Sequence, residues 1–280
     1  MSGVMQLDHI VINAQQEMDN AEAVFTELGF SLTPRGYHTL GSINALAMFG
    51  SDYLELLGFP AGGEVKRPEL ASAPKGLNGL VFKSSNVDDT FTHLQKLGVA
   101  GDPPKSFSRP VTLANGETHD AKFRTVALRA DAFPAGRFYF CEHLTPELVW
   151  RTEWQGHANA TARFDEMVVV AEDAAETADL IANVIHSTAV AGTNAVQIDG
   201  ADDFRLVVHT PAQYQGRFGP AARPMAGRTA MFGAISLRGR LPEDVVANVG
   251  SDAATYTMTQ VDGRTCILVN DFDAVLMFGG

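Results

Sequence analysis

His9 stands in the apolar stretch "LDHIVINA" and Glu55 in "YLELLGF". Both stretches are β-branched or apolar and read as strands. Alternate strand side chains share a face, which puts Leu7, His9 and Val11 on one side and Asp8, Ile10 and Ile12 on the other. By the same rule Tyr53, Glu55 and Leu57 share a face. A carboxylate among apolar neighbours is costly unless it reaches water, pairs with an arginine or binds a cation. A lone imidazole on an apolar strand is most often a hydrogen-bonded structural residue, and otherwise a metal ligand or proton carrier.

A third stretch, "RFYFCEHLTPE", puts Tyr139, Cys141 and His143 on one face and Phe140 and Glu142 on the other. Cys141 suits an interior and Glu142 suits solvent, so His143 is the residue expected inside. His38 precedes "GSIN", small residues that allow close approach. Three roles are open to it: a further ligand, a general base, or an ordinary loop histidine. Asn44 lies in an apolar strand, where its amide needs partners; it is expected to orient His38 or a substrate oxygen. Arg124 in "AKFRTVAL" and Arg151 in "VWRTEW" are candidate anchors for a substrate carboxylate, against the plainer reading of surface arginines. Trp150, Trp154 and Phe140 would make an apolar wall or a packed core. His157 and Asn159 lie in a small, polar loop; His93 and His119 read as solvated.

These residues are carried by a repeating unit. "LDHIVINA" is followed by a helix with Ala21, Val24, Phe25 and Leu28 at helical spacing and Gly29 as its stop, then by strands in "SLTPRGY", "SINALAMFG" and "DYLELLGF". The order is β-α-β-β-β. It recurs from "GLNGLVFKSS", from Phe164, and, with a short helix in "PEDVVANV", from about Thr229. "EWQGHANATA" is a plausible boundary near residue 160, giving units 1–160 and 161–280. The third copy carries Glu166 where the first has His9, and matching "SDYLELLGFP" to "DDFRLVVHTP" puts Leu206 where the first has Glu55.

The 280 residues carry a net charge of −12, which argues against nucleic acid or an anionic membrane as partner. Cys141 and Cys266 sit far apart in apolar runs and read as free buried thiols; with no basic-then-apolar leader, a cytoplasmic protein is expected. No phosphate-cradling glycine motif, nucleophile elbow or HExxH is present.

"LDHIVI", "GYHTLGSINALAMFGSDYLELLGF" and "RFYFCEHLTPELVWRTEWQGHANATA" together resemble the vicinal oxygen chelate superfamily, and within it the glyoxalase-like domain proteins. The superfamily includes glyoxalase I, extradiol dioxygenases and bleomycin-resistance proteins. The resemblance implies an α+β fold of four βαβββ modules, paired into two cupped mixed β-sheets with outer helices. It also implies a divalent metal held by first- and last-strand residues. His9 and Glu55 fall at such positions, and His143 is the choice from the second module, whose first strand offers only Gly79. Two imidazoles and a carboxylate with open positions suit Fe, Zn, Mn or Ni. The expected substrate is a small molecule with adjacent oxygens, in isomerase, lyase or dioxygenase chemistry, with His38 or Glu55 moving a proton and Asn44, Arg124, Arg151 and His157 around the substrate. The rival is a metal-free small-molecule or drug-binding protein of the bleomycin-resistance kind. A homodimer is compatible with either. The C-terminal pair of modules, without the ligand pattern, is expected to be scaffold or lid.

Overall fold

The computed structural model describes residues 3–62, 66–113 and 115–279. The first sheet is built from β1 (Leu7–Gln15), β2 (Gly36–Tyr37), β3 (Ile43–Met48), β4 (Tyr53–Gly58), β5 (Gly76–Lys83), β6 (Lys105–Thr112), β7 (Thr118–Ala127) and β8 (Arg137–His143). The second is built from β9 (Arg163–Ala171), β10 (Ala189–Ala191), β11 (Val196–Asp199), β12 (Arg205–His209), β13 (Ala230–Arg238), β14 (Tyr256–Val261), β15 (Arg264–Val269) and β16 (Ala274–Phe278). Helices α1 (Met18–Glu27), α2 (Pro68–Ser72), α3 (Val87–Lys96), α4 (Ala174–Val184), α5 (Pro211–Phe218) and α6 (Glu243–Ser251) complete the chain.

Strand order is β2-β3-β4-β1-β5-β8-β7-β6 in the first sheet and β10-β11-β12-β9-β13-β16-β15-β14 in the second. The two orders are the same, so the fourfold βαβββ reading and the mixed, paired sheets are as the sequence implied. At the centre of the first sheet β1 runs antiparallel to β5, and each is parallel to the last strand of its own module. Modules one and two are thus related by a local two-fold passing between Ile10 and Leu80. It carries His9 onto Gly79 and Glu55 onto Tyr139. A Cβ at Gly79 would lie 2.7 Å from Val11 Cγ2, so no side chain fits where the second copy of His9 would be.

One face of each sheet buries its apolar residues under helices. Ala21, Val24 and Phe25 of α1 do this in the first module, and Ala178, Ile181 and Ala182 of α4 in the third. α3 starts at Asn86, whose side chain accepts from the amides of Asp88 and Asp89, a side-chain N-cap. These faces of the two sheets join in a single apolar cluster, through Phe49–Phe164, Phe133–Phe232 and Phe30–Phe278 contacts with ring centroids 5.2, 5.9 and 6.0 Å apart. The opposite, concave faces form two separate clusters, one per sheet.

The two concave faces are filled differently. In the first sheet the edges meet: the Thr39 amide donates to the Ser108 carbonyl at 3.0 Å, beside β6, and the sheet nearly closes on itself. In the second, α5 lies in the cup, burying Tyr214 and Phe218 against Val168, Val170, Met231 and Leu268. The Tyr214 hydroxyl donates to the Gly233 carbonyl at 2.9 Å. Sequence periodicity did not point to α5, but its start carries a signal: Thr210 and Gln213 form a capping box around Pro211 at the first helical position.

Three local readings are corrected by the structure. "SLTPRGY" contributes only the two-residue β2: Pro34 has no N–H to give a ladder, and Thr33 makes a single backbone bond to the Leu46 carbonyl of β3. The β9–β12 register pairs Val207 with Val168, as Glu55 pairs with Val11, so Val207 rather than Leu206 is the counterpart of Glu55. Strict alternation also fails at Asp8. The β1–β5 register slips between Leu7 and His9, a β-bulge, so Leu7 joins Ile10 and Ile12 on the helix side while Asp8 turns with His9 towards the cup.

Candidate active site

His9 is almost fully buried at the floor of the N-terminal cup, stacked on Tyr53 with ring centroids 4.4 Å apart. Its Nδ1 lies 2.8 Å from Asp8 Oδ2. Its Nε2 lies 3.1 Å from the Tyr139 hydroxyl and 3.5 Å from Glu55 Oε2. The pattern fixes the tautomer on chemical grounds. A carboxylate can only accept, so Nδ1 carries a proton; in the neutral form of the ring the Nε2 lone pair then faces the cavity, where it can accept from the phenol. Burial raises the Tyr139 pKa, so that phenol stays protonated. Glu55 is oriented in turn by Asn44, whose Nδ2 donates to Oε1 at 2.7 Å.

Asp8 is completely buried and serves two imidazoles. Besides His9, it accepts from His143 Nε2, 2.9 and 3.0 Å from its two oxygens. Burial alone would raise its pKa. The charge and hydrogen bond of His143, with those of His9, outweigh that and hold the carboxyl well below the usual range. His143 shares the inward face of β8 with Cys141, packs edge-on to Phe123 and tilts against Trp150. Its Nδ1 is buried with no hydrogen-bond partner among the described residues.

The cavity above His9 measures about 60 Å³ and is lined by His9, His38, Asn44, Tyr53, Glu55, Arg67, Arg109, Arg137, Tyr139 and Cys141, among others. A wider groove of about 650 Å³ adjoins it and shares Arg67, Thr125, Arg137 and Tyr139. His38 sits at the mouth, its Nδ1 2.8 Å from Ser42 Oγ and its ring edge-on to Phe107. Burial, partly countered by Glu55 and reinforced by Arg109 and Arg67, lowers its pKa to about 4, so it is neutral at pH 7.

The structure thus brings His9, His38, Asn44 and Glu55 to one cavity and places His143 behind it, joined to His9 through Asp8. The other three predicted site residues lie elsewhere. Arg124 alternates with inward-facing Phe123 and Thr125 on β7, so it points outward, where both its terminal nitrogens lie 2.9 Å from Asp88 oxygens. Arg151 pairs with Glu153 and lies over the Trp154 ring in the connection after β8. His157 lies on the helix side of the sheet between Phe30 and Phe49; Nε2 donates to the Met48 carbonyl at 2.7 Å and Nδ1 accepts from the Ser31 amide at 3.0 Å. It braces the inter-half connection rather than a substrate.

Sequence reasoning does not single out Asp8, Tyr139 or Arg109, which the structure places at or beside this cavity. Asp8 was hidden by the bulge. Tyr139 was visible as the face-mate of Cys141, and the local two-fold marks it as the counterpart of Glu55. Arg109 shares a strand face with Phe107 and Val111 on β6, a signal the sequence did contain.

Metal-binding chemistry can be tested on the donors present. Nε2 of His9 and Oε2 of Glu55 are two electron-rich atoms facing one another at 3.5 Å, an arrangement that calls for a cation or proton near them. The Asp8 carboxylate on the far side of the imidazole is the support that metal-bound histidines characteristically have. Both points fit a divalent ion at His9 and Glu55, with the Tyr139 oxygen adjacent. A second compact group, Asp8, Cys141 and His143, has ligand atoms within 4.8 Å of one another. Its aspartate already bridges two imidazoles, and burial pushes the Cys141 thiol well up, so we read it as bracing.

The C-terminal cup has no comparable arrangement. Glu166 pairs with Arg217 at 2.8 Å, and Arg217 also reaches Asp262 at 2.8 Å and His209 at 3.3 Å. These charges line the polar groove left beside α5 and neutralise one another. Asp165, the counterpart of Asp8, meets Arg238 at 3.1 Å and Arg264 at 3.6 Å in place of histidines.

Among solved structures the chain is similar to a hypothetical protein from Staphylococcus aureus, at 12% identity and TM-score 0.65, with 99% of each chain covered. It is also similar to a triple mutant of 4-hydroxymandelate synthase from Streptomyces coelicolor, at 11% identity and TM-score 0.53, with 99% of this chain and 92% of that one covered. A third is a xylose isomerase-like TIM barrel/4-hydroxyphenylpyruvate dioxygenase fusion protein, at 11% identity and TM-score 0.55, with 99% of this chain and 49% of that one covered. At such identities these likenesses show the fold, that of the vicinal oxygen chelate proteins. No curated protein matches the chain. A family model described as a glyoxalase-like domain matches residues 7–185, more than half of the sequence. With its paired βαβββ modules and cupped sheets, the chain belongs to the glyoxalase-like domain family.

Proposed function

We propose that the N-terminal cup is the active site of a metal-dependent enzyme acting on a small substrate with adjacent oxygens, and that residues 161–280 act as its scaffold. The observation that carries this is the facing pair His9 Nε2 and Glu55 Oε2, with Asp8 locking the imidazole so that its lone pair is presented to the cavity. His9 and Glu55 would hold the ion, which when bound supplies Lewis-acid stabilisation of a substrate oxyanion. His143 acts through Asp8, keeping that carboxylate ionised and in place.

The remaining roles follow from the side chains. Asn44 fixes one Glu55 oxygen, and its own Oδ1 is buried against Gly36 with no partner among the described residues. His38, neutral at pH 7, offers the mouth of the cavity a proton acceptor, though a pKa near 4 makes it a weak base. Tyr53 and Tyr139 wall the cavity and limit water. A proton moved between substrate carbons by these groups is isomerase or lyase chemistry; a dioxygenase reading differs in consuming oxygen, which an oxygen electrode distinguishes once a substrate is in hand.

One observation favours a second reading, metal-free binding of a small molecule: the second module contributes no imidazole or carboxylate to the cavity, the Glu55 counterpart being Tyr139, the His9 counterpart Gly79, and the Cys141 thiol being kept protonated by burial. Metal analysis separates the two. Protein purified without chelator or affinity tag should hold close to one transition metal per chain, and Glu55→Gln and His9→Asn should lose it while keeping the fold. Metal-free protein that also fails to take up Fe, Zn, Mn or Ni on reconstitution would establish the binding reading instead. No helix among the described residues is long and apolar enough to cross a membrane; with two free, buried cysteines, a cytoplasmic setting is part of the proposal.

A further inference from the structure

Arg109 has no counterpart in the roles above. It is only 4% exposed, lines the cavity that holds His9 and Glu55, and makes no hydrogen bond or ion pair among the described residues. Burial depresses its pKa, but a guanidinium remains charged. A buried cation without a partner is costly and is normally paired. Glu55, which lines the same cavity, does not pair with it: one Glu55 oxygen accepts from Asn44 and the other faces His9.

The surroundings make the vacancy specific. Gly36 makes room for the guanidinium, since a Cβ there would lie 3.0 Å from Arg109 Cδ and 2.5 Å from Asn44 Oδ1. Arg67 and Arg137 line the same cavity, and Arg137 has a buried terminal nitrogen with no partner among the described residues. Arg67 is paired with Glu69 at 2.8 Å, which leaves two guanidiniums, Arg109 and Arg137, against Glu55, the one lining carboxylate among the described residues, and so an excess of positive charge in a protein whose net charge is −12.

We propose that Arg109 binds a carboxylate group of the substrate, so that the ligand is a small organic acid rather than a neutral carbonyl compound. The planar fork of arginine matches a carboxylate in two-point contact. This inference rests on the N-terminal cup being the substrate site, but not on a metal being bound there.

The test is calorimetric titration of the full chain with glycolate, its neutral isostere glycolamide, and inorganic phosphate, each in EDTA and again with Mn or Zn. Glycolate should bind about 10- to 100-fold more tightly than glycolamide, the discrimination expected of a charge-assisted pair. Arg109→Met should erase that preference, and Arg109→Lys should keep part of it. Ligand-free Arg109→Met should melt at or above the wild-type temperature, because an unpaired buried charge is removed. The proposal is overturned if Arg109→Met leaves glycolate affinity unchanged, if it lowers the ligand-free melting temperature, or if phosphate binds more tightly than glycolate. Glycolate binding that requires metal and ignores Arg109→Met would sink this inference and leave the metalloenzyme reading standing. Arg109-dependent binding in EDTA by a protein that takes up no metal would do the reverse.

Discussion

Asp8→Asn probes the arrangement most directly, because one carboxylate holds both His9 and His143. Each of these bonds is charge-assisted and contributes about 1.5–3 kcal/mol. An asparagine can accept from one imidazole but presents an NH₂ to the other, so about 3 kcal/mol should be lost at pH 7, near the lower range for breaking a buried charged pair. For a chain of this size that is a fall in Tm of about 6–12 °C. The pH dependence has a definite sign. Asp8 has a folded-state pKa below its unfolded value, so its contribution is complete above about pH 4 and fades as the pH falls through the acid range. The gap between wild type and variant should therefore be full at pH 7 and narrow at pH 3. A second readout separates function from stability. Asparagine can also donate to Nδ1, moving the His9 proton to Nε2 and removing the lone pair from the cavity. Metal affinity, measured by competition with a chromophoric chelator, should fall about 10- to 100-fold. A variant that melts within about 2 °C of wild type at pH 7 and binds metal as tightly would refute the assigned role of Asp8.

Burial pushes the Asp52 pKa up to about 7, with only partial relief from the Phe164 amide, Lys83 and Arg163. A folded pKa above the unfolded 3.8 means ionisation opposes folding, so the penalty is absent below about pH 4 and complete above pH 7. Asp52→Asn should raise Tm at pH 8, by at most about 4 kcal/mol in stability, and leave it unchanged at pH 4. Gly36→Ala should displace Asn44 from Glu55 and cost about 1–3 kcal/mol in urea unfolding, with loss of bound metal; full retention of both would show that the cavity wall gives way easily. Tyr214→Phe removes the buried bond to the Gly233 carbonyl and should cost about 1–2 kcal/mol in the same assay while leaving metal content untouched.

The repeat was legible because four copies of one strand–helix pattern reinforce one another, and His9 and Glu55 were legible because polar residues in apolar strands need a reason. Asp8 was not, because a bulge leaves no mark in the alternation of "LDHIVI"; only the pairing with β5 reveals it. Arg109 shares its strand face with Phe107 and Val111, but in an edge strand that pattern alone does not say whether the face is covered. Arg109 becomes an interior residue only when the sheet's edges meet at Thr39 and Ser108, a contact between segments about 70 positions apart in sequence. Arg124 and Arg151 drew attention by residue type, and tertiary placement rather than local pattern put them outside. α5 was overlooked because Tyr214 and Phe218 give it one buried stripe of only two large residues, too short for a periodicity argument.

That short helix also determines how the molecule should respond to ligands. Joined to the sheet it fills, α5 is a tethered occupant whose effective concentration at the C-terminal cup is in the millimolar range or higher, whatever the solution contains. A free molecule would have to outcompete it at that concentration and leave Tyr214 and Phe218 in water. The C-terminal half should accordingly be insensitive to mass action at its apolar floor. A rise in Tm with an apolar ligand, which grows with the logarithm of ligand concentration over Kd, is then expected to come from the N-terminal cup rather than from the apolar floor of the second one.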